Sequence, residues 1–232
     1  ITATVFGATG FIGNNVVSRL GAISSDIVCP SREKKWYSDK IKDLRYACSV
    51  GYVYVNHHTN YNDPNTIRRL VEKSNVVVNC LGPRARYIRP ERFREVNVEY
   101  PWRIARQARK AGVNRLIHFS SVGVDPQSES QDLATKWEGE QRVLEEFPDA
   151  TIFRCTTVTG LNDYFTRLFR IQSSWFDRFV PVYSDLSAKR QPILAGDVAD
   201  CVLSAIKLNN SRGQIFELGG PHVYTIKELY DF

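Results

Sequence analysis

Methionine is missing altogether from the 232 residues, and the chain opens on Ile1 with an apolar run already under way. The native start, with any targeting peptide, is therefore expected to lie outside this stretch. Cysteine is sparse and unpaired: there are five, an odd number, with no C-x-x-C spacing. Cys29, Cys48, Cys80, Cys155 and Cys201 read as free thiols in a reducing compartment, not as a disulfide framework. No uninterrupted apolar run approaches the roughly 18 to 20 residues of a membrane-spanning helix, so any membrane association is expected to be peripheral or through a partner. Internal repeats and low-complexity segments are lacking too.

What is present is an ordinary globular composition, 43% hydrophobic and 24% charged, in a chain long enough to bury about 70% of its unfolded surface. The formal charge of +6 raises nucleic acid or anionic lipid as partners. Its arginines are scattered along the chain, however, which weighs against nucleic acid. Ala3 to Phe6 predicts a strand, and Phe11, Ile12, Val16, Val17 and Leu20 recur at helical spacing up to Gly21. Short strands follow at Asp26 to Pro30 and Tyr52 to Val55. A helix opened by Asp63 and Pro64 then leads to the apolar strand Asn75 to Cys80. Asn97 to Ala111 predicts a helix before the strand Arg115 to Ser120, and Ala134 to Phe147 a helix before the strand Ala150 to Arg154. Wholly apolar strands alternating with amphipathic helices imply an α/β fold, a doubly wound parallel Rossmann sheet with helices on both faces. Residues 1–160 are expected to form this domain. Residues 161–232 are expected to form a small C-terminal subdomain interleaved with the last strand, with helices over Tyr164 to Phe179 and Asp197 to Leu208 and a strand at Gln214 to Leu218. The chain stops at Phe232 as a further helix begins, so more protein is expected to follow.

The turn between the first strand and first helix reads Gly7-Ala8-Thr9-Gly10-Phe11-Ile12-Gly13. Glycine at the first position permits the tight turn, at the second lets backbone N–H groups approach a pyrophosphate, and at the third lets helix pack on strand. The phosphates would rest on the positive end of the helix. No acid ends the second strand, where one would accept bonds from the adenosine ribose and repel a 2′-phosphate. The run there is Ser31-Arg32-Glu33-Lys34-Lys35, and a charge-assisted bond from Arg32 would add about 1.5 to 3 kcal/mol to binding of a phosphorylated ribose. NADP(H), carried as NADPH, is therefore the expected cofactor. Its expected contacts are Gly7, Thr9, Gly10, Phe11, Ile12 and Gly13 at the turn, then Ser31, Arg32, Lys35, Asn60, Cys80, Leu81, Gly82, Ser120, Ser121, Lys136 and Thr156.

The glycine turn, Val96-Asn97-Val98, Ala111-Gly112-Val113 and Ser120-Ser121 together resemble the extended, atypical short-chain dehydrogenase/reductase superfamily. So do Gln191-Pro192-Ile193, Gly196-Asp197-Val198-Ala199 and the run Phe216 to Pro221. Within it the chain is most similar to the dehydrogenase-like accessory subunits of mitochondrial respiratory complex I. The residues carrying that likeness are Ala3 to Phe11, Ile67 to Val71, Ser74 to Asn79, Val180 to Pro192 and Gly220 to Tyr224. The resemblance implies a subunit on the matrix side of the inner membrane, holding NADPH remote from the electron-carrying cofactors, with the other subunits of complex I as partners.

Active members of that superfamily pair a tyrosine with a lysine four residues later, the ammonium lowering the phenol's pKa for proton exchange with substrate. Lys136 occupies the lysine position, but the residue four before it is Asp132, and no tyrosine occurs between Tyr100 and Tyr164. The serine partner falls on Ser121 or on Val122. No catalytic residue is assigned, and the site is expected to bind rather than to reduce; the alternative is a free NADPH-dependent reductase with an unconventional acid. The most basic stretch, Arg84, Arg86, Arg89, Arg92 and Arg94 with Tyr87 and Phe93 interleaved, reads first as a solvated loop and helix face, and otherwise as a face for acidic partners, anionic lipid or RNA.

Overall fold

The computed structural model describes residues 1–32, 50–83, 90–161, 163–167 and 185–231. Its centre is a seven-stranded, wholly parallel sheet, in the order β10-β6-β5-β4-β1-β2-β3. The strands are β1 (Thr2–Phe6), β2 (Asp26–Pro30), β3 (Tyr52–Asn56), β4 (Val76–Asn79), β5 (Arg115–Ser121), β6 (Thr151–Cys155) and, from far along the chain, β10 (Ile215–Leu218). Alternate residues serve opposite faces, which is why the central strands carry no polar face. Ala3, Val5, Val76, Val78, Ile117 and Phe119 point into one hydrophobic cluster, and Phe6, Val77 and Leu116 into the other.

On the first face lie α1 (Phe11–Ala22) and α6 (Ala195–Lys207), contributing Val16, Val17, Leu20, Val198, Ala199 and Val202. An Arg19–Asp200 ion pair at 2.6 Å joins the two helices at the surface. On the second face lie α2 (Pro64–Val71), α3 (Pro90–Arg94), α4 (Tyr100–Lys110) and α5 (Gln131–Glu146). Asp63 caps α2, accepting from the N–H groups of Asn65 and Thr66 at 3.0 and 3.2 Å. Among the described residues, no helix is long and apolar enough to cross a membrane.

Most element boundaries fall within two residues of the sequence expectation, and two helix starts differ by more. The helix expected from Asn97 begins at Pro90 and passes through a π-turn, Glu95–Glu99, before α4. Its first turn carries one apolar side chain, Phe93, among Glu91, Arg92 and Arg94, too little for apolar periodicity to mark it. The π-turn brings the Asn97 carbonyl so close to α5 that a Cβ on Gly139 would stand 1.9 Å from it. Helix α5 starts at Gln131, three residues early, after Ser130 in an extended conformation.

The C-terminal residues complete the sheet and cover its carboxyl edge. Two further short pairings, β7 (Val158–Thr159) with β9 (Ile193–Leu194) and β8 (Lys189–Arg190) with β11 (Tyr224–Thr225), lie beyond β6. The last helix is α7 (Ile226–Asp231). Arg115, buried at the start of β5, donates to the carbonyls of Ala205 and Leu208 and to Ser211 Oγ, tying the end of α6 to the sheet. Of the helix expected over Tyr164 to Phe179, residues 164–167 are helical and residues 168–179 lie outside the described residues.

Candidate dinucleotide site

Strand β1 ends at Phe6, and Gly7 turns the chain in the left-handed region (φ 78°) where its carbonyl accepts the Gly10 N–H at 2.9 Å. Each glycine of the turn has a distinct steric reason. A Cβ on Gly7 would lie 2.6 Å from the Cys80 carbonyl oxygen, and one on Gly13 would lie 2.2 Å from that of Gly7. Gly10 is looser, with the Gly7 oxygen at 3.1 Å. No side chain caps α1 at Gly10, so its first free N–H groups have no side-chain partner there. A tight backbone cradle with uncapped donors at a helix amino end suits a pyrophosphate.

Ser31 is buried at the carboxyl end of β2, its N–H bonded to the Asn56 carbonyl at 2.8 Å, and Arg32 beside it is exposed. Asn60 lies one turn beyond β3, and its Oδ1 accepts the Asn62 N–H at 3.0 Å. Behind Arg32, the Tyr61 hydroxyl donates to the Pro30 carbonyl at 3.2 Å and its ring meets Tyr100 edge-on with centroids 5.2 Å apart. Burial and the Glu95 carboxylate push the Tyr100 phenol up to about 12. Lys34 and Lys35 lie outside the described residues, as do Arg84, Arg86, Tyr87 and Arg89 of the arginine-rich segment. In its described part, Arg92 pairs with Glu95 at 3.7 Å and Arg94 with Glu138.

At the end of β4, Cys80 backs onto Gly7, the Leu81 N–H donates to Asn79 Oδ1 at 3.2 Å, and Gly82 faces open space. Burial pushes the Cys80 thiol above its ordinary range. The neighbouring Cys155 thiol is pushed up to about 12, again chiefly by burial. Across the sheet, Phe11 reaches from the glycine turn to within 3.3 Å of where a Cβ on Gly160 would be, so the turn and the loop after β7 touch.

Lys136 projects from α5 with 20% of its side chain exposed. Its Nζ donates to Ser121 Oγ at 2.8 Å and to Asp132 Oδ2 at 2.8 Å. The other Asp132 oxygen accepts from Asn97 Nδ2 at 2.9 Å. Asp132 is thus held between the Lys136 ammonium and the Asn97 amide. Ser120 Oγ is buried and has no hydrogen-bond partner among the described residues. Ser121 and Thr156 both line a cleft of about 510 Å³. Cys155, Thr157, Lys189, Arg190 and Gln191 line it as well. The Thr156 hydroxyl donates to the Gln191 carbonyl at 2.5 Å, and Gln191 Nε2 to that of Gly220 at 2.7 Å.

The described candidates therefore occupy one carboxyl edge in two groups. The glycine turn, Cys80 to Gly82, Ser120, Ser121 and Thr156 lie at the ends of β1, β4, β5 and β6, with Lys136 reaching Ser121 from α5, while Ser31, Arg32 and Asn60 lie at the ends of β2 and β3. Sequence reasoning missed the Asn97 bond to Asp132 and the cations Lys189 and Arg190 on the cleft wall. The first had a signal, a lone polar residue inside the apolar run Val96 to Val98. The second had none, because the pairing that brings β8 to the cleft is long-range.

A model of the NAD dependent epimerase/dehydratase family matches residues 3–219. The chain is 33% identical over 232 residues to "NADH dehydrogenase [ubiquinone] 1 alpha subcomplex subunit 9, mitochondrial" of Mus musculus, covering 100% of this chain and 60% of that protein. It is 33% identical to "NADH-ubiquinone oxidoreductase 40 kDa subunit, mitochondrial" of Neurospora crassa, over 98% of this chain and 58% of that one. The chain thus spans about three fifths of the length of these curated relatives. Among solved structures, UDP-glucuronic acid 4-epimerase from Bacillus cereus in complex with NAD superposes with a TM-score of 0.82 at 17% identity, over 97% of this chain and 80% of that one.

Proposed function

The chain belongs to the NAD dependent epimerase/dehydratase family, and on that premise we propose that it holds NADPH as a structural ligand and does not turn it over, as an accessory subunit of mitochondrial NADH:ubiquinone oxidoreductase (complex I). The single observation that carries the reading is the Lys136–Asp132 ion pair at 2.8 Å. A side chain with the proton-exchanging role of tyrosine typically supplies about a hundredfold to ten-thousandfold in rate, and here a paired carboxylate takes its place. Lys136 and Ser121 keep the positions from which they would hold the nicotinamide ribose. The cradle of Gly7, Gly10 and Gly13 would hold the pyrophosphate, with Ser31 and Arg32 on the adenosine's extra phosphate. The bound dinucleotide would supply no electron step in this reading. Its effect would be mass-action stabilisation of the fold, about 2.7 kcal/mol at a hundredfold excess over Kd.

The printed names of the mouse and Neurospora relatives support the assembly and its mitochondrial setting. Placement on the matrix side as a peripheral subunit follows from that reading. Residues 1–160 would serve as the nucleotide-binding part and 161–232 as the small interleaved subdomain. The arginine-rich segment would meet acidic neighbours in the assembly or anionic lipid; nothing in the site favours nucleic acid. A free reductase has one observation on its side, the open cleft beside Ser121 and Lys136.

The deciding experiment is purification from the native source, with mass spectrometry of the bound nucleotide and of co-purifying chains. NADP(H) near one per chain, co-migration with complex I and no turnover are expected. A monomer whose site is empty and which reduces aldehydes or ketones on addition of NADPH would establish the reductase instead.

A further inference from the structure

Asn79 and His118 face each other across β4 and β5, in direct register. Both are buried, Asn79 with 1% and His118 with 4% of its surface exposed. Asn79 Nδ2 lies 3.0 Å from His118 Nδ1. The Leu81 N–H, a donor, meets the Asn79 amide on its Oδ1 edge at 3.2 Å. That contact fixes the amide orientation: Nδ2 faces the ring and donates, so His118 Nδ1 accepts and the ring proton sits on Nε2. Burial and the nearby Lys136 ammonium depress His118 to about 4, in keeping with a neutral acceptor.

The chain of contacts does not stop at Leu81. Between Asn79 and Leu81 lies Cys80, whose carbonyl is the surface that a side chain on Gly7 would strike at 2.6 Å. Strand β4 ends at Asn79; the Cys80 N–H still bonds the Phe6 carbonyl at 2.9 Å, and one residue further on the Leu81 N–H is held by the Asn79 side chain. We infer that His118 is a positioning residue for the dinucleotide cradle, holding the Asn79 amide in the orientation that fixes the Cys80–Gly82 wall against the glycine turn. The inference rests on the proposed binding of NADPH there; His118 acts on the wall through its bond to Asn79.

A glutamine at 118 would still present an acceptor to Asn79, whereas a leucine would leave the amide unpaired and free to turn. Wild type, His118→Gln and His118→Leu, each made as the full chain and checked for folding by near-UV circular dichroism, are compared in two measurements. Hydrogen exchange without nucleotide should show the Leu81 amide protected in wild type and the glutamine variant, and at least tenfold faster in the leucine variant. Titration with NADPH should show the glutamine variant within about threefold of wild type and the leucine variant weaker by tenfold or more. Should His118→Leu fail to fold, His118→Phe removes the acceptor while keeping a ring at that position and is read in the same way. Equal exchange and equal affinity in the glutamine and leucine variants would overturn the inference alone. A wild type that binds no NADPH would overturn it together with the reading it rests on, and the exchange of Leu81 tells the two failures apart.

Discussion

Asp132 Oδ2 and Lys136 Nζ stand 2.8 Å apart on successive turns of α5, and the same ammonium bonds Ser121 Oγ at 2.8 Å. The lysine therefore has two partners before any ligand enters, and one of them carries the opposite charge. Replacing Asp132 by tyrosine removes that charge and restores a hydroxyl beside the ammonium. Asp132→Tyr is expected to raise NADPH-dependent reduction of small aldehydes and ketones by about a hundredfold or more over the wild-type background, followed as NADPH absorbance. A variant that binds NADPH normally and shows no gain would count against Asp132 as the reason for the proposed lack of turnover.

The glycines of the turn separate stability from binding. In Gly13→Ala the new methyl would lie 2.2 Å from the Gly7 carbonyl, backbone against backbone, with nothing able to swing away. Such overpacking costs about 1 to 3 kcal/mol or more, so a clear drop in Tm is expected without ligand. In Gly10→Ala the nearest atom is 3.1 Å off, so Tm should change little while NADPH affinity falls, because the methyl occupies the space a phosphate would approach. Similar Tm values for the two variants would contradict this division.

Arg32 is the test of cofactor choice. Arg32→Ala should weaken NADPH binding by about tenfold or more, the range of a charge-assisted hydrogen bond, and leave NADH binding nearly unchanged. Parallel loss of both affinities would show that Arg32 supports the fold of the loop and does not read the phosphate.

His118 gives a pH dependence of defined sign. Its folded value is depressed from 6.5 to about 4, so between those limits the unfolded chain takes up a proton that the folded chain refuses. Stability is thus complete above pH 6.5 and declines as pH falls towards 4, by up to roughly 3 kcal/mol from this group. Urea unfolding of wild type and His118→Gln across that window should differ in slope, the glutamine variant losing less on acidification. Coincident pH profiles would remove the histidine from the account.

Much of this was legible in the sequence, for reasons particular residues supply. Continuous apolar strands such as Val76 to Val78 announce a sheet buried on both faces, and the spacing of Gly7, Gly10 and Gly13 reports contacts within a few residues of one another. Asp132 before Lys136 was equally plain, being a matter of four positions along one helix. What stayed hidden depends on pairing at a distance. The bond from Asn97 to Asp132 spans 35 positions and that from Asn79 to His118 spans 39, and neither leaves a periodic trace. The early start of the helix at Pro90 was hidden because Phe93 is the lone large apolar residue among Glu91, Arg92 and Arg94, and one such residue makes no stripe to read.

The seventh strand comes from the far end of the described chain. Ile215 to Leu218 must lie down beside Ile152 to Cys155 before β6 has a neighbour on its outer side. A ribosome that has released the chain only as far as residue 160 has therefore exported an unguarded sheet margin, with Phe153 still lacking its contact with Phe216. Such a nascent chain would be a substrate for holding chaperones, and a proteolytic product cut before residue 214 would be prone to self-association through that margin.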